Sequence, residues 1–274
     1  MTTQVDNDDR RRVLLRIAYR GTAYCGWQRQ PNGKAVQEVV ENALGALAQR
    51  PVRVVGASRT DAGVHALAQH AHVEIERRLP AKALVLGVNR DLPEDVRVVA
   101  AWDVRADLHA QRDARNKLYT YRLCRDRVID PLRAERMVSL DGRVALKAIR
   151  EALPAFIGRH DFSAFAKAGG SHDDPRRELF EVGLEEESSE VRLLFRGDGF
   201  LRGMVRAMVG TLIEIGRGRL GEEDVRRLLQ EGGAREEVGP NAPAHGLELT
   251  EIEYPSGELA TGFDARFDPP VGAP

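Results

Sequence analysis

The order in which strand-like and helix-like patterns follow one another constrains this chain most, because the same order occurs twice. Residues 13–19 alternate apolar and polar side chains, the period of a strand. Val36, Val39, Val40, Leu44 and Leu47 then recur at helical spacing over 36–48. Residues 52–56 and 70–75 follow as strands. Pro80 opens a helix over 83–92, and 96–104 closes the set as a strand. The second half repeats the order: a strand over 117–124, a helix over 144–157, strands over 179–184 and 191–195, a strongly apolar helix over 201–215 and a strand over 247–254. A short extra helix, 222–229, precedes that last strand. What repeats is the order of elements, not the residues.

One such set is the ferredoxin/RRM-like arrangement, an antiparallel sheet with helices on one face. The expected fold is therefore α+β: two tandem β-α-β-β-α-β units whose antiparallel sheets flank a central active-site cleft. The expected boundaries are a disordered tail at 1–12, an N-terminal α+β domain over 13–108, a C-terminal α+β domain over 109–256 and a tail at 257–274. Cores on this scale need apolar residues, and 42% of the 274 residues are hydrophobic. No apolar run is long enough to span a bilayer, so no membrane partner is expected. The first twelve residues are charged and lack the apolar stretch of a signal peptide, which points to the cytoplasm. Cys25 and Cys124 make neither a disulfide framework nor a zinc site. The net charge of −1 is unevenly spread: residues 104–136 hold nine Lys/Arg against five Asp/Glu. Glu185, Glu186, Glu187 and Glu190 crowd another stretch. A basic face and an acidic face are compatible with a nucleic-acid partner.

The connection from Ala57 to Gln69 is too long for a tight hairpin and is not built like an ordinary polar loop. It gathers Arg59, Thr60, Asp61 and His65, with Gly63 allowing a bend. Read alone, it has two readings. Asp61 either caps its own turn beside a solvated arginine, or it is a functional carboxylate kept ionised by a nearby cation.

The stretch Ser58-Arg59-Thr60-Asp61-Ala62-Gly63-Val64-His65-Ala66 resembles the active-site signature of the tRNA pseudouridine synthase A family. Six further stretches resemble the same family in the same order: Gly21 with 24–30 (Tyr24-Cys25-Gly26-Trp27-Gln28-Arg29-Gln30), 35–38, 117–121, 160–165, 199–206 and 242–247. The resemblance covers about residues 13–255. It implies an isomerase (an intramolecular transferase) that turns uridine into pseudouridine in the anticodon arm of tRNA. The C1′–N1 bond breaks, the uracil turns over and a C1′–C5 bond forms, so no cofactor is required. It implies Asp61 as the catalytic aspartate, acting as nucleophile or as base, and Arg206 as the arginine that keeps Asp61 charged. Tyr119 is implied to stack on the base or relay a proton, and Leu247 to lie below the uracil. Arg59 and Arg202 are implied to contact the RNA, Arg59 by entering the space that a flipped nucleotide leaves or by holding its phosphate. A homodimer is implied as well, with tRNA and not DNA as the nucleic-acid partner.

Other constellations carry less. His70-Ala71-His72 puts two imidazoles on one strand face, but no third ligand falls at a matching position, and no metal is expected. Gly197-Asp198-Gly199 reads as a hairpin end and 169–175 as a mobile surface loop. The rival reading is a binding module with two RRM-like sheets and no chemistry. Such modules display aromatic pairs on central strands, whereas this chain is 5% aromatic. A metal-dependent hydrolase is a more distant rival.

Overall fold

A computed structural model of the chain describes residues 10–140, 143–167, 174–231, 233–259 and 261–266. The fold is mixed α+β with mostly antiparallel strands, in two compact units. One unit draws on residues 10–62, 66–115 and 252–266, the other on 63–65 and 116–251. The 169–175 loop falls almost wholly outside the described residues, as does most of the expected 1–12 tail.

The first unit runs β1 (Arg10–Tyr19), α1 (Val36–Ala48), β2 (Val54–Gly56), β3 (His65–Glu76), α2 (Ala81–Val88) and β4 (Val96–Asp103). Strands β4, β1 and β3 are neighbours in that order, and β2 pairs with β3; all these pairings are antiparallel. Both faces of β1 are covered, since Val13, Leu14, Leu15 and Ile17 are all fully buried. Each such side chain contributes about 1.5–3 kcal/mol by leaving water.

Strand β3 starts at His65 and not at His70, which shortens the expected loop. The extension is held because Ala66 pairs with Tyr19 and Gln69 with Ile17 across an irregularity in β1. Helix α1 spans the expected residues and ends where Gln49 turns left-handed, its N–H donating to the Gly45 carbonyl. Helix α2 stops at Val88, short of the expected end. The Asn89 amide exchanges two hydrogen bonds with the backbone of Val98 on β4, 2.8 and 2.9 Å long, and so draws the chain out of the helix.

In the second unit, β5 (Asn116–Cys124) leads through α3 (Pro131–Ala134) and β6 (Val138–Ser139) to α4 (Leu146–Ala152). Strands β7 (Gly158–Asp161), β8 (Arg176–Glu187) and β9 (Glu190–Gly197) follow, then α5 (Met204–Gly216), α6 (Glu222–Glu231) and β10 (Leu247–Glu253). The strand order is β10-β5-β9-β8-β7, with β6 added parallel to β5. Helix α4 does not reach Ile157. A tighter 3-10 turn over Leu153–Phe156 replaces its end, because Pro154 offers no N–H to the helical ladder. Helix α5 starts at Met204 and not at Leu201, because Gly203 before it takes a left-handed φ of 74°. At Gly197-Asp198-Gly199 the Asp198 N–H donates to the Glu178 carbonyl, and the Asp198 carboxylate accepts from the Glu178 N–H. That segment closes a strand end, as expected.

The expected tail from residue 257 needs correction. Residues Thr261–Asp264 form β11, which adds antiparallel to the outer edge of β4. Asp264 there pairs with Arg16 of β1, whose guanidinium lies 5.3 Å from the Trp102 ring centroid.

Candidate active site

The Asp61 loop is built around Thr60. Its hydroxyl lies 2.8 Å from the Tyr19 hydroxyl of β1, and its carbonyl accepts the Trp27 N–H at 3.1 Å. On the other side, the Gln69 amide donates to the Ser58 carbonyl (2.6 Å) and accepts from the Ser58 N–H (3.2 Å). Gly26 packs beneath the loop backbone. Its φ is 107°, and a Cβ there would stand 2.5 Å from the Thr60 carbonyl oxygen. Only glycine meets both conditions without strain. Buried Thr60 thus fixes two residues that are not buried: exposed Arg59 and half-buried Asp61. A carboxylate on so constrained a backbone is pre-set in position, which a nucleophile or a base requires.

This explains why Tyr24-Cys25-Gly26-Trp27 and the Asp61 loop occur together in one sequence. The first supplies the floor of the second. Tyr24 is itself tied down through its hydroxyl, which donates to Asp95 at 2.7 Å, and burial with that carboxylate raises its pKa. Sequence reasoning missed Thr60, Tyr19 and Gln69 as supports. The available signal was a glutamine inside the apolar run Ala66-Leu67-Ala68-Gln69, since a buried amide needs partners.

His65, from the same connection, is buried, its Nε2 within 2.9 Å of the Glu135 carbonyl and 3.1 Å of the His245 carbonyl. Two acceptors at one nitrogen require an N–H there. Burial lowers its pKa, offset in part by those carbonyls.

The second unit holds Tyr119, Arg206 and Leu247, and it ties Arg206 to the segment 242–247. Arg206 sits in the first turn of α5, half-buried, and its Nε–H donates to the Ala242 carbonyl at 2.7 Å. The Ala242 N–H returns a bond to the Arg206 carbonyl at 3.0 Å. This orients the guanidinium fork. Tyr121 donates to the Pro243 carbonyl at 2.9 Å, and burial raises its pKa against the opposing pull of Arg206. Leu247, 5% exposed, opens β10 directly after that segment. Tyr119 is also 5% exposed and meets Phe200 edge-to-face, with centroids 5.0 Å apart. Arg202 is exposed, and its carbonyl accepts the Lys167 N–H at 2.8 Å. Asp61 and Arg59 belong to the first unit; Tyr119, Arg202, Arg206 and Leu247 belong to the second.

The His70/His72 pair is committed to packing. His72 Nδ1 accepts the Ala110 N–H, while His70 stacks on Trp102 and meets Tyr254 edge-on. An Nδ1 that accepts leaves the proton on Nε2, the wrong tautomer for a metal ligand at that atom. Among the described residues no group of three His, Cys, Asp or Glu side chains is placed to hold a metal, and no helix is long and apolar enough to cross a membrane.

The family model described as tRNA pseudouridine synthase matches residues 16–111 and 152–255. The tRNA pseudouridine synthase A of Syntrophotalea carbinolica is 43% identical over 250 residues, covering 91% of this chain and 99% of its own length. That of Thermus thermophilus is 43% identical over 255 residues, covering 91% and 99%. That of Citrifermentans bemidjiense is 40% identical over 244 residues, covering 89% and 98%. With matches along both units and at this identity, the chain belongs to the tRNA pseudouridine synthase family.

Proposed function

We propose that this protein isomerises uridine to pseudouridine in the anticodon stem-loop of tRNA, with Asp61 as the catalytic carboxylate and no cofactor. The observation that carries the reading is the fixed backbone of the Asp61 loop, anchored through Thr60 and Gly26 in a chain of this family. Arg206 takes part as the catalytic arginine, its guanidinium oriented by the Ala242 carbonyl. Tyr119 faces the base with its ring braced by Phe200, and Leu247 forms the apolar floor. Arg59 and Arg202, both exposed, contact the RNA. Both units follow one β-α-β-β-α-β plan, centred on 13–108 and 109–256. In support, each orders its sheet with the fourth strand of the plan beside the first, then the third, then the second. The enzyme works as a cytoplasmic homodimer.

The test uses unmodified tRNA carrying tritium at uracil C5, because forming the C1′–C5 bond expels that hydrogen to solvent. Wild-type protein releases tritium with a chelator present, and Asp61→Asn releases none while still binding tRNA. Equal release by both overturns the role of Asp61. Tight binding without release by wild type leaves a binding module.

A further inference from the structure

Helix α1 begins without a side-chain cap. Ala35 stands at its N-cap position and has no side-chain oxygen to offer, yet the first amides of a helix need acceptors. They find them on the main chain. The Val36 N–H donates to the Gly26 carbonyl at 3.1 Å, and the Gln37 N–H donates to the Trp27 carbonyl at 2.9 Å. Residues 26 and 27 also support the Asp61 loop, since the Trp27 N–H donates to the Thr60 carbonyl. One peptide segment is therefore held by α1 on one side and holds Thr60 on the other.

The Gln37 side chain fixes this segment further. Its Oε1 accepts the Arg29 N–H at 3.0 Å, while its Nε2 donates to the Val54 carbonyl of β2 at 3.0 Å and to Glu41 at 3.1 Å. Buried Glu41 in turn accepts the Val54 N–H at 3.1 Å, with the Arg29 guanidinium 3.6 Å from its second oxygen. One amide thus ties together three pieces of backbone: α1, β2 and residues 27–29. Against them lies the buried Trp27 indole. Strand β2 closes one side of it, where a Cβ on Gly56 would stand 2.2 Å from the indole nitrogen. The Tyr19 ring stacks on it, with centroids 6.2 Å apart, and the Tyr19 hydroxyl is the partner of Thr60. Both anchors of Thr60 therefore converge on Trp27, and the Gln37 amide fixes the Trp27 segment against β2.

Resting on the proposed role of Asp61, we infer that Gln37 is a positioning residue for the isomerisation, acting through Trp27 and Thr60 to hold the backbone of Asp61. Both ends of its amide are engaged by protein groups, so it serves the reaction through the loop and not by contact with RNA. Displacing a reacting group by about 1 Å can cost about a hundredfold in rate. Loss of Gln37 should therefore lower kcat and leave tRNA affinity alone. A residue that only stabilises the fold would lower Tm and leave the kcat of the folded enzyme as it was.

The test compares full-length wild type with Gln37→Ala and Gln37→Glu on the tritiated tRNA, at a temperature where melts show each protein folded. Gln37→Glu keeps an acceptor for the Arg29 N–H, loses the donor to Val54 and sets a carboxylate against Glu41. Both variants are expected to lower kcat about tenfold, with the Kd for tRNA unchanged. Wild-type kcat in the folded variants overturns the inference. So does a raised Kd at wild-type kcat, which would make Gln37 an RNA contact. Failure of both variants to fold overturns it as well, since Gln37 would then be a structural residue only. If wild type releases no tritium, or Asp61→Asn releases as much as wild type, the proposed role of Asp61 falls and this inference with it. Wild-type kcat in the Gln37 variants removes the positioning role alone.

Discussion

Thr60 carries more of the site than its chemistry suggests, because the residues on either side of it inherit their positions from its two anchors. Removing one anchor without touching Asp61 tests this. Tyr19→Phe deletes a buried hydrogen bond and is expected to cost about 1 kcal/mol of stability. It should also lower kcat/KM measurably, with tRNA binding nearly unchanged, in the tritium assay. Gly26→Ala is the harsher change. Its Cβ meets the Thr60 carbonyl at a φ that L side chains rarely adopt, so a loss of about 2 kcal/mol or more is expected. Thermal melts and activity should fall together. Asp61 and Arg206 stand out in the sequence only through the company their motifs keep. Read alone, Asp61 fitted a capped turn better than an active site. The supports were not legible, because Thr60 depends on partners at 19 and 27, which no local pattern connects to it.

The interiors of the elements were plain in the sequence and their ends were not. Periods of two and of 3.6 mark strands and helices wherever one face is buried, and α1 shows how far that goes. The ends answer to single residues: Pro154 tightens the close of α4, Gly203 delays α5, and Asn89 cuts α2 short by bonding to β4. Asn89→Ala should therefore act on stability alone. Loss of both amide bonds is expected to cost about 2 kcal/mol, read as a lower urea midpoint with kcat unchanged. A large fall in kcat would mean that the α2–β4 junction does more than hold the first unit together.

At the scale of the whole molecule, acid should be the weak point, and histidine should answer at a higher pH than the lowered carboxylates Glu76, Glu214 and Asp264. Burial lowers His70 to about 3 and His72 to about 4, and His65 and His109 are lowered as well. The folded protein keeps the His70 and His72 rings neutral at pH 5, while the unfolded chain protonates them below about pH 6.5. Their stability contribution is thus fully present above that pH and is lost as the pH falls toward 4, by up to about 1.4 kcal/mol per pH unit for each of these two rings. Urea midpoints at pH 7 and pH 5 check this, and His70→Phe, which keeps the stacked ring, should flatten the difference. An unchanged midpoint at pH 5 would contradict it. Strand β11 was the whole-molecule feature least visible in the sequence. Thr261-Gly262-Phe263-Asp264 is too short to show a period, and its partners lie far back along the chain, on β4 and, 248 residues from Asp264, at Arg16. That return has a consequence for synthesis. The edge strand of the first unit is translated after every described residue of the second, so a nascent chain holds the complete sequence of the second unit while the sheet of the first is still one strand short.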